Sequence, residues 1–251
     1  MAWDPARYLR FADHRTRAAA ELLARIPHAA PTSVVDLGCG PGNSTRLLAD
    51  RWPDANIVGI DSSEAMLARA RADHPDIEFA LGDAASWSSP EAVDVVYTNA
   101  ALHWIDDHLS LLPSLLANVA PGGSLALQIP NNYQRPAHAE AHRIVREHFA
   151  DLDGVLLDRR FDMESHYAAL ADAGAQVDVW ETTYLQALEG EDPVVAWTSG
   201  TFLRPLLDAL GDRREQFLTR YPQAMRETYP PRADGITLLP FPRIFAVATR
   251  D

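Results

Sequence analysis

The chain has 251 residues, 47% hydrophobic and 23% charged, with a formal net charge of −13. Such a composition is that of a globular protein able to bury a core, and the acidic balance argues against a nucleic-acid partner, whose phosphates it would repel. Its one cysteine, Cys39, excludes an intrachain disulfide; it also lacks a run of about 18 apolar residues able to cross a membrane.

The opening Met1-Ala2-Trp3-Asp4-Pro5-Ala6-Arg7-Tyr8 lacks the apolar core of a signal peptide, so a cytoplasmic enzyme is expected. Tyr8 and Trp3 are candidates for a lid over residues 1–30, or for a staple holding the first helix to the core. That helix is predicted from Arg15 to Ile26, with Asp13 as its cap, because Ala18, Ala19, Leu22, Leu23 and Ile26 recur at helical spacing and Pro27 follows.

A first strand is predicted over Ser33–Leu37, apolar and β-branched as a buried parallel strand requires. It breaks into Gly38-Cys39-Gly40-Pro41-Gly42, after which Asn43-Ser44-Thr45 is expected to cap a helix through Trp52. Strand, glycine turn and helix bring backbone N–H groups against a ligand. A dinucleotide fingerprint, G-x-G-x-x-G, would need glycine at 43, where the chain has Asn43. The spacing is instead D-x-G-x-G-x-G. Asp36 in its first position would repel a pyrophosphate but suits a ligand carrying an ammonium and a sulfonium. Cys39 is read as a small packed residue of the loop.

A second strand, Ala55–Ile60, ends at Asp61, whose carboxylate would accept two ribose hydroxyls. Ser62-Ser63-Glu64 opens the next helix, and Met66 on it is a candidate to lie under an adenine. The third strand, Ile77–Leu81, ends in Gly82-Asp83-Ala84, where Asp83 would accept an adenine amino group. The fourth, Ala92–Thr98, runs into Asn99-Ala100-Ala101-Leu102-His103-Trp104. Ligands of open α/β sheets lie outside the carboxyl ends of the strands, so Asn99, His103 and Trp104 are placed to face them. A helix from about Asp107 to Val119 and a tight turn at Pro121-Gly122-Gly123 lead to a fifth strand, Ser124–Ile129.

From Pro130 the rhythm changes. A polar helix is predicted from Ala137 to Phe149, with His138 and His142 on one face; a metal pair is one reading by spacing, a solvated helix the preferred one. A helix over Met163–Ala173, a sixth strand over Gln176–Tyr184, a helical block over 190–230 and a last strand over Arg243–Ala248 complete the chain. The expected architecture is a single α/β domain: a doubly wound, Rossmann-like, seven-stranded and mostly parallel sheet, its last strand antiparallel, with helical cap insertions at about 130–175 and 190–230.

Asp36 to Gly42, Asp61, Gly82-Asp83 and Pro121-Gly122-Gly123, in this order, resemble the motifs of the class I S-adenosylmethionine (SAM) methyltransferases. Trp3-Asp4-Pro5-Ala6-Arg7-Tyr8, Val177-Asp178-Val179-Trp180, Leu203-Arg204-Pro205 and Phe241-Pro242-Arg243 extend the likeness over nearly the whole chain, toward the trans-aconitate 2-methyltransferase branch. The resemblance implies SAM as cofactor, held by Asp36, Gly38, Gly40, Pro41, Gly42, Ser44, Asp61, Ser62, Met66, Asp83, Ala84, Asn99 and Leu102. It implies methyl transfer to a carboxylate of a small polycarboxylic acid, with no metal, in a monomer or homodimer. Other enzymes of this fold methylate a hydroxyl, a carbon or the acyl carboxyl of a carrier protein, and a non-catalytic SAM-binding protein is the remaining alternative.

A carboxylate with a pKa near 4 is ionised at neutral pH and needs no general base. His103 would serve as one only for a hydroxyl or carbon acid. Orientation is the main demand, with cations for the acid's charge. Arg204 is the first candidate and Arg243 the second, though the latter also reads as a surface charge. Tyr8, Trp104 and Tyr133 are candidates for the walls of the acceptor site.

Overall fold

The computed structural model describes residues 12–251, with side chains from Thr16 onward. Two compact units divide the described residues. A sheet unit comprises residues 12–130, 162–182 and 243–251; a helical unit comprises 131–161 and 183–242. Tyr8 and Trp3 lie outside the described residues.

The sheet has seven strands: β1 (Ser33–Leu37), β2 (Asn56–Asp61), β3 (Glu78–Leu81), β4 (Val93–Asn99), β5 (Val119–Pro130), β6 (Ala175–Leu188) and β7 (Thr237–Arg250). Their order is β3-β2-β1-β4-β5-β7-β6. β1 pairs parallel with β2 and β4, β2 with β3, and β4 with β5, whereas β7 runs antiparallel to β5. The chain steps outward from β1 to β3 and then crosses back to β4. This reversal makes a crevice at the carboxyl ends of β1 and β4, the usual place for a ligand in an open α/β sheet.

The helix α1 (Ala12–Arg25) packs against β5. Ala18, Ala19, Leu22 and Leu23 are buried on it, and the Tyr97 hydroxyl of β4 donates to the Ala19 carbonyl at 2.8 Å. Asp13 lies inside this helix rather than capping it. On the sheet's margin Trp180 stacks on Phe245 at 5.0 Å, donates its Nε1 to Glu21 and carries Arg25 over its ring.

Three expectations change in the sheet. Pro121-Gly122-Gly123 is no turn before β5 but a bulge within it: Val93 pairs with Val119 and Val95 with Ser124, so Asp94 alone faces the extra residues. β7 begins at Thr237, ahead of the apolar run from Ile244, so Arg243 stands within a strand. Residues 162–175, expected in an insertion, group with the sheet; there α6 (Met163–Ala171) packs on α4 (His108–Ala117), and His108 and His166 approach to 3.0 Å between their Nε2 atoms.

The helical unit has its own core. Ile144, Phe149, Trp197, Leu203, Leu206, Phe217 and Tyr221 pack together from α5 (Pro136–His148), α7 (Pro193–Ser199), α8 (Arg204–Ala209) and α9 (Arg214–Thr228). Tyr221 stacks on Phe217 and donates its hydroxyl to the Ala137 carbonyl at 3.2 Å. His138 is not solvated as expected: it is buried, with its ring stacked on Phe202 at 3.7 Å. Among the described residues no helix is long and apolar enough to cross a membrane, and no group of three or more His, Cys, Asp or Glu could hold a metal.

Candidate active site

The glycine loop after β1 sits at the carboxyl edge of the sheet. Gly38, Gly40 and Gly42 have φ of +77°, +56° and +86°, a left-handed region that costs L side chains. Gly38 is set by a close approach, since a Cβ on it would stand 2.2 Å from the Ala101 Cβ. Gly40 is different: among the described residues a Cβ there would meet nothing within 4 Å, so its backbone borders space that they leave open. Its N–H donates to Asp61 Oδ2 at 2.8 Å, while Asp61 Oδ1 accepts from the Ser63 N–H at 2.8 Å. A carboxylate has about four acceptor positions, so Asp61 can hold the loop and still receive two hydroxyls.

Asp36 is fully buried behind this loop. Its Oδ2 accepts the hydroxyls of Ser44 and Thr45, each at 2.7 Å. These residues were expected to cap the following helix, α2 (Asn43–Arg51); instead both hydroxyls point back to the strand, and α2 starts after Gly42 with no side-chain cap. Burial pushes the Asp36 carboxyl up to about 6, against the pull of the two hydroxyls, and nearby Asp61 adds to the rise. Its Oδ1 is buried without a hydrogen-bond partner. A buried acid beside an acid is the environment that a cationic group would relieve. Cys39 packs with Leu67, Ala70 and Phe79, and burial raises its thiol far above the usual range, so it is no nucleophile.

The other positions line the same edge. Ser62 is exposed; Met66 is buried on α3 (Glu64–Asp73). Asp83 accepts the Ala85 N–H through Oδ1 at 2.9 Å and is otherwise exposed, with Ala84 half-buried beside it. Asn99 ends β4, its Oδ1 buried without a partner, and Leu102 is buried in the 3-10 turn Leu102–Trp104. His103, expected to face a ligand, is 6% exposed and lies against Trp104 at 4.8 Å between rings; Trp104 is 46% exposed.

The substrate candidates separate between the units. Arg243, read as a possible surface charge, is 3% exposed. Its Nη1 donates to Gln128 Oε1 at 2.9 Å, and its Cα pairs with Pro130 at the carboxyl end of β5. Arg204 opens α8 in the helical unit and is half-buried. Tyr133, also of that unit, is buried against His138 and Phe161, and burial pushes its hydroxyl up to about 12, against the pull of Arg159.

Three edge residues escaped the sequence reading. Leu81, the register partner of Asp61, is 63% exposed, an apolar wall where a polar residue would ordinarily end the strand. Ala100 has φ +54°, held by its N–H to the Gln128 carbonyl at 2.8 Å; an alanine carries no sign of that conformation. Gln128 itself sits inside an apolar run, and a buried polar residue there was the available signal.

Asp61 with its spare acceptor positions, the clear space at Gly40 and the unmatched Asp36 Oδ1 fit an adenosine-bearing cation. Residues 34–123 match the methyltransferase domain family. A protein of Methylobacterium nodulans named trans-aconitate 2-methyltransferase is 50% identical over 253 residues, covering 99% of this chain and 98% of its own. One of the same name from Escherichia coli O157:H7 is 43% identical over 250 residues, covering 99% and 98%. Among solved structures, the YcgJ protein of Bacillus subtilis aligns with a TM-score of 0.63 at 15% identity, covering 94% of this chain and 99% of its own. Phosphoethanolamine N-methyltransferase 2 of Haemonchus contortus, in complex with SAM, aligns with a TM-score of 0.57 at 16% identity, covering 94% and 53%. At these identities both structures bear on the fold alone.

Proposed function

The chain belongs to the trans-aconitate 2-methyltransferases, within the SAM-dependent methyltransferases, and from that membership we propose how its residues divide the work of making a trans-aconitate monomethyl ester. The bound cofactor supplies an electrophilic methyl group on a sulfonium, and a carboxylate oxygen of the acid is the nucleophile. Asp61 takes the ribose hydroxyls, the Gly38–Gly42 loop approaches the amino-acid end, and Leu81, Met66 and Asp83 flank the adenine. Asp36 balances the cofactor's positive charge from behind the loop, so its carboxyl, held near 6, is drawn down when the cofactor binds.

The acceptor arrives ionised, so no residue needs to take a proton from it. What the chain must do is hold one oxygen about 3 Å from the methyl carbon, in line with the C–S bond, an orientation that supplies roughly 7–11 kcal/mol of a barrier. Arg243 and Trp104, both of the sheet unit, are assigned to the acid, and Arg204 stays a candidate on the likeness of Leu203-Arg204-Pro205 alone. Tyr133 is assigned to packing, because it is buried among aromatic rings. Monomer or homodimer, cytoplasmic location and the lack of a nucleic-acid partner belong to the same reading.

The observation that carries it is the glycine loop, held clear at Gly40 and tied by that residue's N–H to Asp61. The test is incubation with methyl-labelled SAM and a panel of di- and tricarboxylic acids, read by mass spectrometry. A labelled ester of trans-aconitate with equimolar S-adenosylhomocysteine is expected. Label on a hydroxyl or carbon acceptor, with none on any acid, would replace the carboxylate reading.

A further inference from the structure

Gln128 lies on β5 with 1% of its surface exposed, among apolar neighbours. Its side-chain oxygen accepts from Arg243 Nη1 at 2.9 Å. A guanidinium offers donors only, so this bond fixes which end of the amide faces Arg243. The other end, Nε2, is then a donor, and it is buried without a hydrogen-bond partner. A buried donor left unmatched is destabilising, because it has given up its bond to water.

The position is not arbitrary. The Gln128 Cα pairs with that of Asn99 in the parallel β4–β5 register, so the two side chains share a face. Asn99 Oδ1 is likewise buried and without a partner. Arg243 stands two residues from Phe245, the antiparallel partner of Gln128, and therefore shares that face too. The Gln128 carbonyl meanwhile holds the left-handed Ala100 at the turn leading to Trp104. Two unmatched polar atoms and a buried cation thus gather on one face at the carboxyl edge of β4 and β5, which β7 crosses antiparallel.

We propose that Gln128 and Arg243 form a carboxylate-binding pair for the acceptor acid: Gln128 Oε1 sets the plane of the guanidinium, and Gln128 Nε2 donates to the same carboxylate that Arg243 receives. Asn99 Oδ1 serves the cofactor side of the same edge. The pair favours a planar anion and disfavours its neutral ester, because a carboxylate accepts from both donors with charge-assisted bonds. The proposal rests on the carboxylic-acid reading above.

Two substitutions at Gln128 separate this from a structural role. Gln128→Leu keeps the volume but removes both bonds. Gln128→Glu keeps, and strengthens, the acceptor for Arg243 while replacing the donor by a negative charge. If the pair only stabilises the fold, the Glu variant is the milder. If it holds a carboxylate, the Glu variant is the worse, since the anion meets a like charge and a neutralised Arg243. We expect the KM for trans-aconitate to rise by about 10- to 100-fold in the Leu variant and further in the Glu variant. The calorimetric SAM affinity should stay within about threefold. Thermal melts read folding separately, and Arg243→Lys, which loses the planar fork, supplies the third variant should Leu fail to fold. A Glu variant with near-normal KM, or variants that lose melting temperature alone, overturn the pair. Wild-type enzyme that binds SAM yet esterifies no acid in the same assay overturns the carboxylic-acid reading itself, and the pair with it.

Discussion

The sheet unit and the helical unit bury their polar groups in different ways. In the sheet unit, the polar atoms of the candidate cofactor site come from short runs at strand ends: 36–44, 61–66, 81–84 and 99–104. Asp36 meets Ser44 and Thr45 within nine positions, and Asp61 meets Ser63 within two. In the helical unit the contacts are long-range: Tyr221 reaches Ala137, and His138 stacks on Phe202. A binding loop made of local geometry is specified by a motif, whereas a helical core is specified by volume and can be refilled by many sequences. Cofactor chemistry is therefore expected to respond to single substitutions in the sheet unit, and stability to those in the helical core.

The largest effect should come from Gly40→Val. The residue has φ +56° and open space where a side chain would project, so valine both strains the loop and fills the room left for a ligand. Calorimetry should show SAM affinity falling by more than about 100-fold, the joint effect of strain and lost space. A valine variant that binds SAM normally would remove the loop from the cofactor site.

Next is Arg204→Ala, at a helical-unit residue that the sequence likeness alone offers as a cation for the acid. Hydrogen bonds to a charged group contribute about 1.5–3 kcal/mol, so the acceptor's KM should rise about 10- to 150-fold with SAM affinity unchanged. Arg204→Lys should recover only part, having no planar fork. A lower melting temperature with an unchanged KM would assign Arg204 to packing and leave Arg243 as the acid's cation.

These expectations track what the sequence could reveal. The succession of strands along the chain follows from alternating apolar runs and glycine turns, and β1 begins and ends where the apolar run does. Asp36, Gly40 and Asp61 were legible because their spacing is their geometry. The bulge at 121–123, the early start of β7 and the burial of Arg243 were not, because each depends on a partner strand far along the chain. Arg243 resembles a surface charge until β5 and β6 flank its strand. Ser44 resembles a helix cap until Asp36 offers a buried acceptor 2.7 Å away. His138 shares a helix with Glu140, His142 and Glu147 that reads as solvated, and rings distant in the chain or outside the helix, Phe202 and Tyr133, explain its burial.

His103→Ala should change turnover by no more than about tenfold, because an ionised acceptor gives up no proton. His103 is buried, so a melt run beside the kinetics separates loss of fold from loss of chemistry. Turnover slowed by roughly two to four orders of magnitude, with a normal acceptor KM, would instead mark a general base and a hydroxyl or carbon acceptor.

The smallest expected effect tests the contrast through pH, where buried groups of the two units act with opposite sign. Burial, helped by nearby His142, pulls the His138 imidazole down to about 3 from an unfolded value near 6.5. Between those values the unfolded chain binds a proton that the folded chain does not, so stability falls as pH drops below 6.5. Asp36 does the reverse: with its folded value near 6 and its unfolded value near 3.8, the folded state holds the proton in that window. Its contribution is therefore present at low pH and is lost as pH rises through about 6. His138→Phe keeps the ring volume and the stack on Phe202 but removes the titration. Relative to the wild type it should gain about 1.4 kcal/mol on going from pH 7.5 to 5.5, the value of one pH unit below 6.5. Urea unfolding at the two pH values measures it. A wild-type and variant pair whose stabilities stay parallel across that range would mean that His138 is protonated in the fold as readily as out of it, and the helical core would lose its claim to be dry at that position.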